Sequence, residues 1–349
     1  MRVDIYSMVD DDKTQYLKEF GIKHNVHIST SPYKPVFFPL VLLISIMRLK
    51  KPNAIIVRYM NDNKYLFFSL ILFFSRIFTF VLADLFSIKI IWFCHNVDKE
   101  SIEHYPFLTN LKRKYLVKRA AVIYVMDKLL VPVAKRQFPE HKEKIDYISF
   151  GVRDTNFRRK ANITCNKLIN TLREISRGDC LVGFCPTNAG EKYLHIEYAS
   201  KLVNAAQAEG IKIFIILLGD LKKYFEDNEQ IKKEISNNAN VIVFDKFIDY
   251  DASELSQYIS FYWRGLNDQS ISYSLYEAAT QKKPVLALDV GFIGKAVKEY
   301  KLGEVIGLDF SNSADRIQNL AEWDADNASQ FLREHSWENS IQKIKKIFE

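Results

Sequence analysis

Short apolar runs alternate with amphipathic stretches along the whole chain, and this alternation limits the fold more than any other feature. Six runs in the first part, Arg2–Ser7, Val26–Ser29, Ala54–Arg58, Lys89–Cys94, Val122–Met126 and Ile145–Phe150, are short, β-branched or aromatic, and bounded by polar or turn residues. Those are strand signals. Helices are expected between them, near 12–20, 36–49, 64–85, 101–119 and 128–138. The second part repeats the pattern, with strands expected near 180–185, 211–218, 240–244, 259–262, 284–288 and 304–308. Strand–helix alternation predicts parallel sheets with helices on both faces. The chain therefore reads as α/β, with two doubly wound (Rossmann-like) domains facing a cleft. In such sheets ligands bind at the carboxyl ends of the strands, so chemistry is sought just after strands.

The 349 residues suit two domains. The break is expected in the polar stretch that begins at Gly151, giving a first domain of 1–160 and a second of 161–332. The net charge of +7 is unevenly held. Residues 1–160 have 27 Lys/Arg against 15 Asp/Glu, and the remainder 22 against 27. A basic half is expected to meet something anionic: a phosphorylated ligand, a membrane surface or nucleic acid. Hydrophobic residues at 48% and charged residues at 26% exclude a disordered chain and a collagen-like repeat. Cys94, Cys165, Cys180 and Cys185 form no C-x-x-C pair, which argues against a zinc ribbon and fits a reducing compartment. The N-terminus lacks signal-peptide features, so a cytoplasmic protein is expected.

Two stretches are unusually apolar. One is 36–47, followed by Arg48, Lys50 and Lys51; the other is 65–86, with seven phenylalanines. The second is long enough to span a bilayer, but Arg76 and Asp84 interrupt it and strands flank it. Two readings stay open: buried core helices, or a surface that dips into a membrane interface with Lys34, Arg48, Lys50, Lys51 and Lys64 against anionic headgroups.

The stretch 261–288 carries the most chemistry. It reads as a strand, a polar loop, a helix from about Ser272, a Lys-Pro turn and a buried strand. Ser270 and Ser272 lie where free backbone N–H groups and the helix dipole favour phosphate. Glu277, one to two turns in, suits a ribose diol. On the residues alone, an N-capping serine and a solvated glutamate fit equally. In the first half, His95, Asn96, Asp98 and Glu100 follow a buried strand. A histidine there faces the expected cleft, and Asp98 and Glu100 are candidate general bases. Arg58 also follows a strand; it suits an acceptor phosphate or a surface salt bridge. The acidic loop Asp10-Asp-Asp12 lacks glycine and would repel a diphosphate, so Asp10 is assigned to the acceptor rim. Its Asp-x-Asp spacing is read as capping, and no metal or other cofactor is expected.

Tyr276-Glu-Ala-Ala-Thr-Gln-Lys-Lys-Pro-Val285 resembles the nucleotide-sugar signature of GT-B glycosyltransferases of the "glycosyl transferases group 1" kind. Glu277 matches the second of two glutamates found in many retaining members, which typically binds ribose. Gln269 stands at the first position. Further pieces follow in the family's order. Ile145–Val152 with Phe157 resembles its domain-linking segment, Val182–Lys192 the opening of its nucleotide domain, and Phe214–Gly219 and Asn240–Asp245 its next strands. Trp337-Glu-Asn-Ser-Ile resembles the start of its last helix. The resemblance implies donor binding by Lys192 (on the diphosphate), Gly219, Gln269, Ser270, Ser272 and Glu277. It implies that His95 approaches the donor sugar; by position, Asp98 and Glu100 join it as candidate catalytic groups, and Asp10, Arg58 and Asn96 are the candidate acceptor contacts. It also implies that residues 333–349 form a helix crossing back to the first domain.

The function expected is transfer of a sugar from a nucleotide-sugar donor to a saccharide acceptor. The resemblance points to a lipid-diphosphate-linked acceptor, at the inner face of a membrane in bacterial surface-polysaccharide synthesis. A sugar-nucleotide epimerase of the same fold is the alternative. A noncatalytic lipid-binding protein ranks lower, and no nucleic-acid motif is present.

Overall fold

A computed structural model describes residues 2–31, 33, 35–98, 100, 103–152, 163–187, 194–246, 248 and 250–349. Lys34, Phe157 and Lys192 lie outside the described residues. The chain divides into two compact units, Met1–Gly151 with His335–Glu349, and Val152–Glu334.

The first unit contains β1 (Val3–Ser7), β2 (Val26–Thr30), β3 (Ala54–Val57), β4 (Lys89–Cys94), β5 (Val122–Val125) and β6 (Ile145–Tyr147). They form one parallel sheet in the order β2-β1-β3-β4-β5-β6. From β1 the chain winds one way to β2, then crosses back to lay β3 on the other side, so the order reverses between β1 and β3. Every residue of β3 is buried, as a strand covered on both faces requires. The final helix, Trp337–Lys346, completes this unit. Trp337 packs against Phe150 and Tyr16. The Ser340 hydroxyl donates to the Ser149 carbonyl, and the Tyr124 hydroxyl donates to the Lys343 carbonyl at 3.0 Å. Gly151 makes this seating possible: a Cβ there would lie 2.2 Å from the Trp337 ring.

The second unit contains β7 (Leu181–Pro186), β8 (Ile213–Gly219), β9 (Val241–Asp245), β10 (Phe261–Arg264), β11 (Val285–Leu288) and β12 (Gly303–Ile306). They form a second parallel sheet, β9-β8-β7-β10-β11-β12. The order reverses between β7 and β10. Leu202, Val203, Ile215, Leu217, Phe261 and Trp263 belong to its core cluster. β10 ends two residues later than the sequence predicts. Arg264 is its last residue, and its guanidinium finds acceptors inside the fold.

Candidate functional site

The reversal point of the second sheet is built around Arg264. Side chains alternate along β10, so Phe261 and Trp263 enter the core cluster while Tyr262 and Arg264 take the opposite face. Arg264 is buried. Its Nη1 donates to the Pro186 carbonyl at the end of β7, and its Nη2 donates to the Ser272 hydroxyl at 3.1 Å. Its Nε is buried without a hydrogen-bond partner, and no carboxylate pairs with this guanidinium among the described residues. His195 ties the two strand ends together. Its Nε2 lies 2.8 Å from the Thr187 hydroxyl after β7, and its Nδ1 lies 2.8 Å from the Gly265 carbonyl after β10. Burial first, then the nearby Arg264 charge, holds this imidazole well below its ordinary value, so it is neutral.

The helix Tyr273–Thr280 starts beside this arginine. Ser272 is its N-cap and accepts from the Ser274 N–H, a role that satisfies one of the free donors of a first turn. The Ser272 and Ser274 hydroxyls lie 2.7 Å apart. Glu277 sits one turn on, half-buried. Its carboxylate accepts from the Tyr250 hydroxyl at 2.9 and 3.1 Å and from the Tyr262 hydroxyl at 3.0 Å. Burial, followed by the Glu277 charge, raises both phenols well above their ordinary range, so they remain donors. The loop before the helix is folded on itself, with the Ser270 hydroxyl donating to Asp268 at 2.8 Å. Gly291 supports it from below with φ +57°; a Cβ there would meet the Leu266 carbonyl at 2.2 Å. Gln269 is half-buried in this loop, and Gly219 closes β8.

In the first unit the reversal point holds a second buried arginine. Arg58 follows β3 and is buried. Its Nη1 pairs with Asp11 at 2.5 Å and with the Thr14 hydroxyl at 3.0 Å, while Nε and Nη2 are buried without hydrogen-bond partners. Asp11 caps the helix Asp12–Lys23 through the Thr14 N–H. Burial alone would raise the Asp11 carboxyl, but Arg58 and Thr14 outweigh it and hold it below the ordinary carboxylate value. Asp10 is exposed at the rim and accepts from Gln15 at 2.6 Å.

His95 follows β4 between two rings, 4.7 Å from Tyr59 and 5.5 Å from Phe150 by centroid. Its Nε2 is buried without a hydrogen-bond partner. Burial first, then Lys13 and Arg58, depresses it well below the ordinary imidazole value, leaving a neutral ring. Asn96 is buried, and its carbonyl accepts from Arg113. Asp98 is exposed. Glu100 is buried, pairs with Arg113 at 2.9 Å and accepts the Met60 N–H at 3.1 Å. Burial raises its carboxyl above the ordinary value despite those partners. Beside it, Asp62 and Lys112 form a fully buried pair.

The structure thus brings Ser270, Ser272 and Glu277 to one end of the second sheet. It brings Asp10, Arg58, His95 and Asn96 to the carboxyl ends of the first. Arg264, His195, Tyr250, Tyr262 and Tyr59 were not singled out from the sequence; only the position of Arg264 and Tyr59 just past apolar runs could have signalled them. Burial pushes the Cys94 and Cys185 thiols up to about 12, so neither is a ready thiolate. Among the described residues no group of three His, Cys, Asp or Glu side chains is placed to hold a metal.

No protein-family model matches the chain, and no curated protein matches it by sequence. Solved structures do. A glycosyltransferase from Rickettsia africae ESF-5 superposes with a TM-score of 0.64 at 13% identity, over 99% of this chain and 98% of that one. HepE from Anabaena, in complex with UDP, superposes with a TM-score of 0.64 at 12% identity, over 100% and 99%. WaaG, a glycosyltransferase involved in lipopolysaccharide biosynthesis, gives 0.59 at 11% identity, over 99% of both chains. Two doubly wound α/β units joined in this order, over nearly the whole length of such enzymes, give the chain the GT-B fold.

Proposed function

We propose that the protein is a glycosyltransferase that takes a sugar from a nucleoside-diphosphate sugar held by the second unit. The observation that carries this reading is Arg264, a buried guanidinium without a carboxylate partner among the described residues, at the reversal point of the sheet. Ligands of such sheets bind there. A diphosphate would supply the counter-charge, with the N-terminus of Tyr273–Thr280 as a second source of positive potential. Ser270, Ser272 and Lys192 complete the phosphate contacts in this reading, and Glu277 takes the ribose diol. Gly219 and Gln269 border the same strand ends.

In the transfer, the anomeric C–O bond to the diphosphate breaks and the bonding pair leaves with the phosphate oxygen. The acceptor oxygen bonds to the anomeric carbon and gives up its proton. Fixed positive charge beside the leaving oxygen offsets the charge that develops there. The first unit takes the acceptor, which we assign as a saccharide on a lipid diphosphate. Arg58, with two unmatched donors, suits its phosphate, while Asp10 and Asn96 suit its hydroxyls. His95, a neutral imidazole, and Asp98, an exposed carboxylate, are the proton acceptors in this reading. Glu100, engaged by Arg113, positions that loop. HepE has been determined with UDP and with UDP-glucose, which supports the donor class, and WaaG is involved in lipopolysaccharide biosynthesis, which supports a surface-polysaccharide role.

A thermal-shift panel of UDP, GDP, dTDP and CMP with their sugars tests the reading on wild type and Glu277→Ala. One diphosphate nucleotide is expected to raise Tm, and the variant to lose most of that rise. No shift from any nucleotide overturns the donor site, and an equal shift in Glu277→Ala overturns the ribose assignment. Conversion of a nucleotide sugar to its isomer without acceptor would identify an epimerase instead.

A further inference from the structure

The helix Leu66–Leu85 is inside out for a helix in water. Its small polar residues and its arginine are buried: Ser69, Ser75, Arg76 and Thr79. Ser75 donates to the Val36 carbonyl at 2.7 Å and Thr79 to the Ser75 carbonyl at 2.9 Å, while Arg76 reaches the Asn61 carbonyl through Nη1 at 3.5 Å and keeps its Nε buried without a hydrogen-bond partner. Its solvent face is apolar. Phe67, Phe74, Phe78, Val81 and Leu85 recur at helical spacing, with Phe74 64% and Leu85 72% exposed. A surface helix in water shows the opposite arrangement.

Two neighbouring helices extend this face. Phe38–Met47 and Pro106–Arg119 both pack against the long helix. The first exposes Leu40, Ile44 and Met47, and the second exposes Phe107 and Leu111. Monomeric soluble proteins rarely show contiguous apolar patches beyond a few hundred Å². The charges at its margin are mostly positive. Arg48, Lys50 and Lys51 follow the first helix and Lys64 precedes the long one, all exposed. On the third helix the exposed stripe of Phe107 and Leu111 continues as Lys114 and Lys118. The three helices contain a single acid, Asp84, and it is ion-paired with Arg119.

We propose that this three-helix face seats the first unit on an anionic lipid bilayer, with the long helix lying in the interface and not crossing it. The long helix has the 20 residues and mean hydropathy of 2.2 that a span would need. A span is excluded by the sheet. β3 and β4, at its two ends, are adjacent parallel strands paired from Ala54↔Lys89 to Val57↔Trp92, and strands on opposite sides of a bilayer could not pair. An apolar face accounts for insertion at the headgroup boundary, and the cationic margin for the sign of the lipid. The inference is independent of the glycosyltransferase reading.

Co-sedimentation of the full chain with vesicles of phosphatidylcholine alone, and of phosphatidylcholine with one-quarter phosphatidylglycerol, tests it at low and high salt. Wild type is expected to sediment with the anionic vesicles, less so at high salt, and to be released by alkaline carbonate. Phe74→Glu/Phe78→Glu is expected to lose at least about tenfold in vesicle affinity with an unchanged Tm, because both side chains already face solvent. Arg48→Glu/Lys50→Glu is expected to lose the preference for anionic lipid. Failure of wild type to bind anionic vesicles at low salt overturns the proposal. So does unaltered vesicle binding by the Phe double variant, particularly if light scattering shows that it breaks a dimer present in wild type. Resistance to alkaline carbonate overturns the interfacial placement.

Discussion

Arg264→Met separates a binding arginine from a structural one. The substitution keeps roughly the side-chain volume in a buried place and deletes the hydrogen bonds to the Pro186 carbonyl and the Ser272 hydroxyl. Those two charge-assisted bonds contribute about 1.5–3 kcal/mol each to the free protein. Against them stands burial of a charge without a carboxylate partner among the described residues, which costs several kcal/mol. The two effects offset each other, so the free variant is expected to be about as stable as wild type. Nucleotide binding should move the other way. Charge-assisted hydrogen bonds contribute about 1.5–3 kcal/mol, so the diphosphate affinity should fall about 10- to 150-fold. With ligand at about 100 times the wild-type Kd, wild type gains about 2.7 kcal/mol. A 30-fold weaker variant gains about 0.9 kcal/mol under the same conditions. For a unit of this size each kcal/mol is about 2–4 °C in Tm, so a shift of roughly 5–11 °C shrinks to about 2–4 °C. Differential scanning fluorimetry across a nucleotide titration reads both quantities. A variant that melts several degrees lower, yet keeps the full nucleotide shift, would refute the argument and make Arg264 a structural residue.

Two further predictions concern stability. His95 and His195 are held neutral by burial, with folded values well below 6.5; such groups contribute stability that is fully present above 6.5 and is lost as pH falls through the folded values. Urea unfolding between pH 7 and 5 should therefore show falling stability, by at most about 1.4 kcal/mol per pH unit for each group; His195→Gln should flatten the part belonging to the second unit, and a pH-independent wild type contradicts the assignment. Trp337→Ala removes a buried ring packed on Phe150 and Tyr16 and should cost the first unit about 3–5 kcal/mol. Hydrogen exchange should accelerate in β6 and leave β7 and β8 unchanged, and acceleration in both units would contradict the division of the chain.

The strands among the described residues were legible because most are short apolar runs, and inner ones such as β3 and β11 are buried on both faces, which leaves little room for polar residues. The position of Glu277 on a helix was legible from the serine N-cap before it and the Lys-Pro stop and buried strand after it. What pairs with what was not. The tyrosines that hold Glu277 lie 27 and 15 residues away, and nothing local announces them. Glu100 reads as a free carboxylate after a strand, yet packing brings Arg113 onto it. Arg264 looks like the end of a strand run, and only the carbonyl of β7 explains why the strand continues. The long apolar helix was ambiguous because phenylalanines surround it. Which face is buried is decided by where Ser75 and Arg76 find acceptors, and those acceptors lie in other elements.

The return of the last helix to the first unit sets an order of events during synthesis. Ser149, Phe150 and Gly151 emerge from the ribosome roughly 180 residues ahead of the Trp337 helix that covers them. Asp127 waits as long for His335, its partner at 2.9 Å in the buried interior. At about 5–20 residues per second the delay is about 10–40 s. The second unit, continuous in the chain, can close within that interval, so the half made first is finished last. A nascent first unit spends that time with the seat of its last helix bare, so apolar surface at Phe150 that the finished fold covers stays open while the chain is still being made.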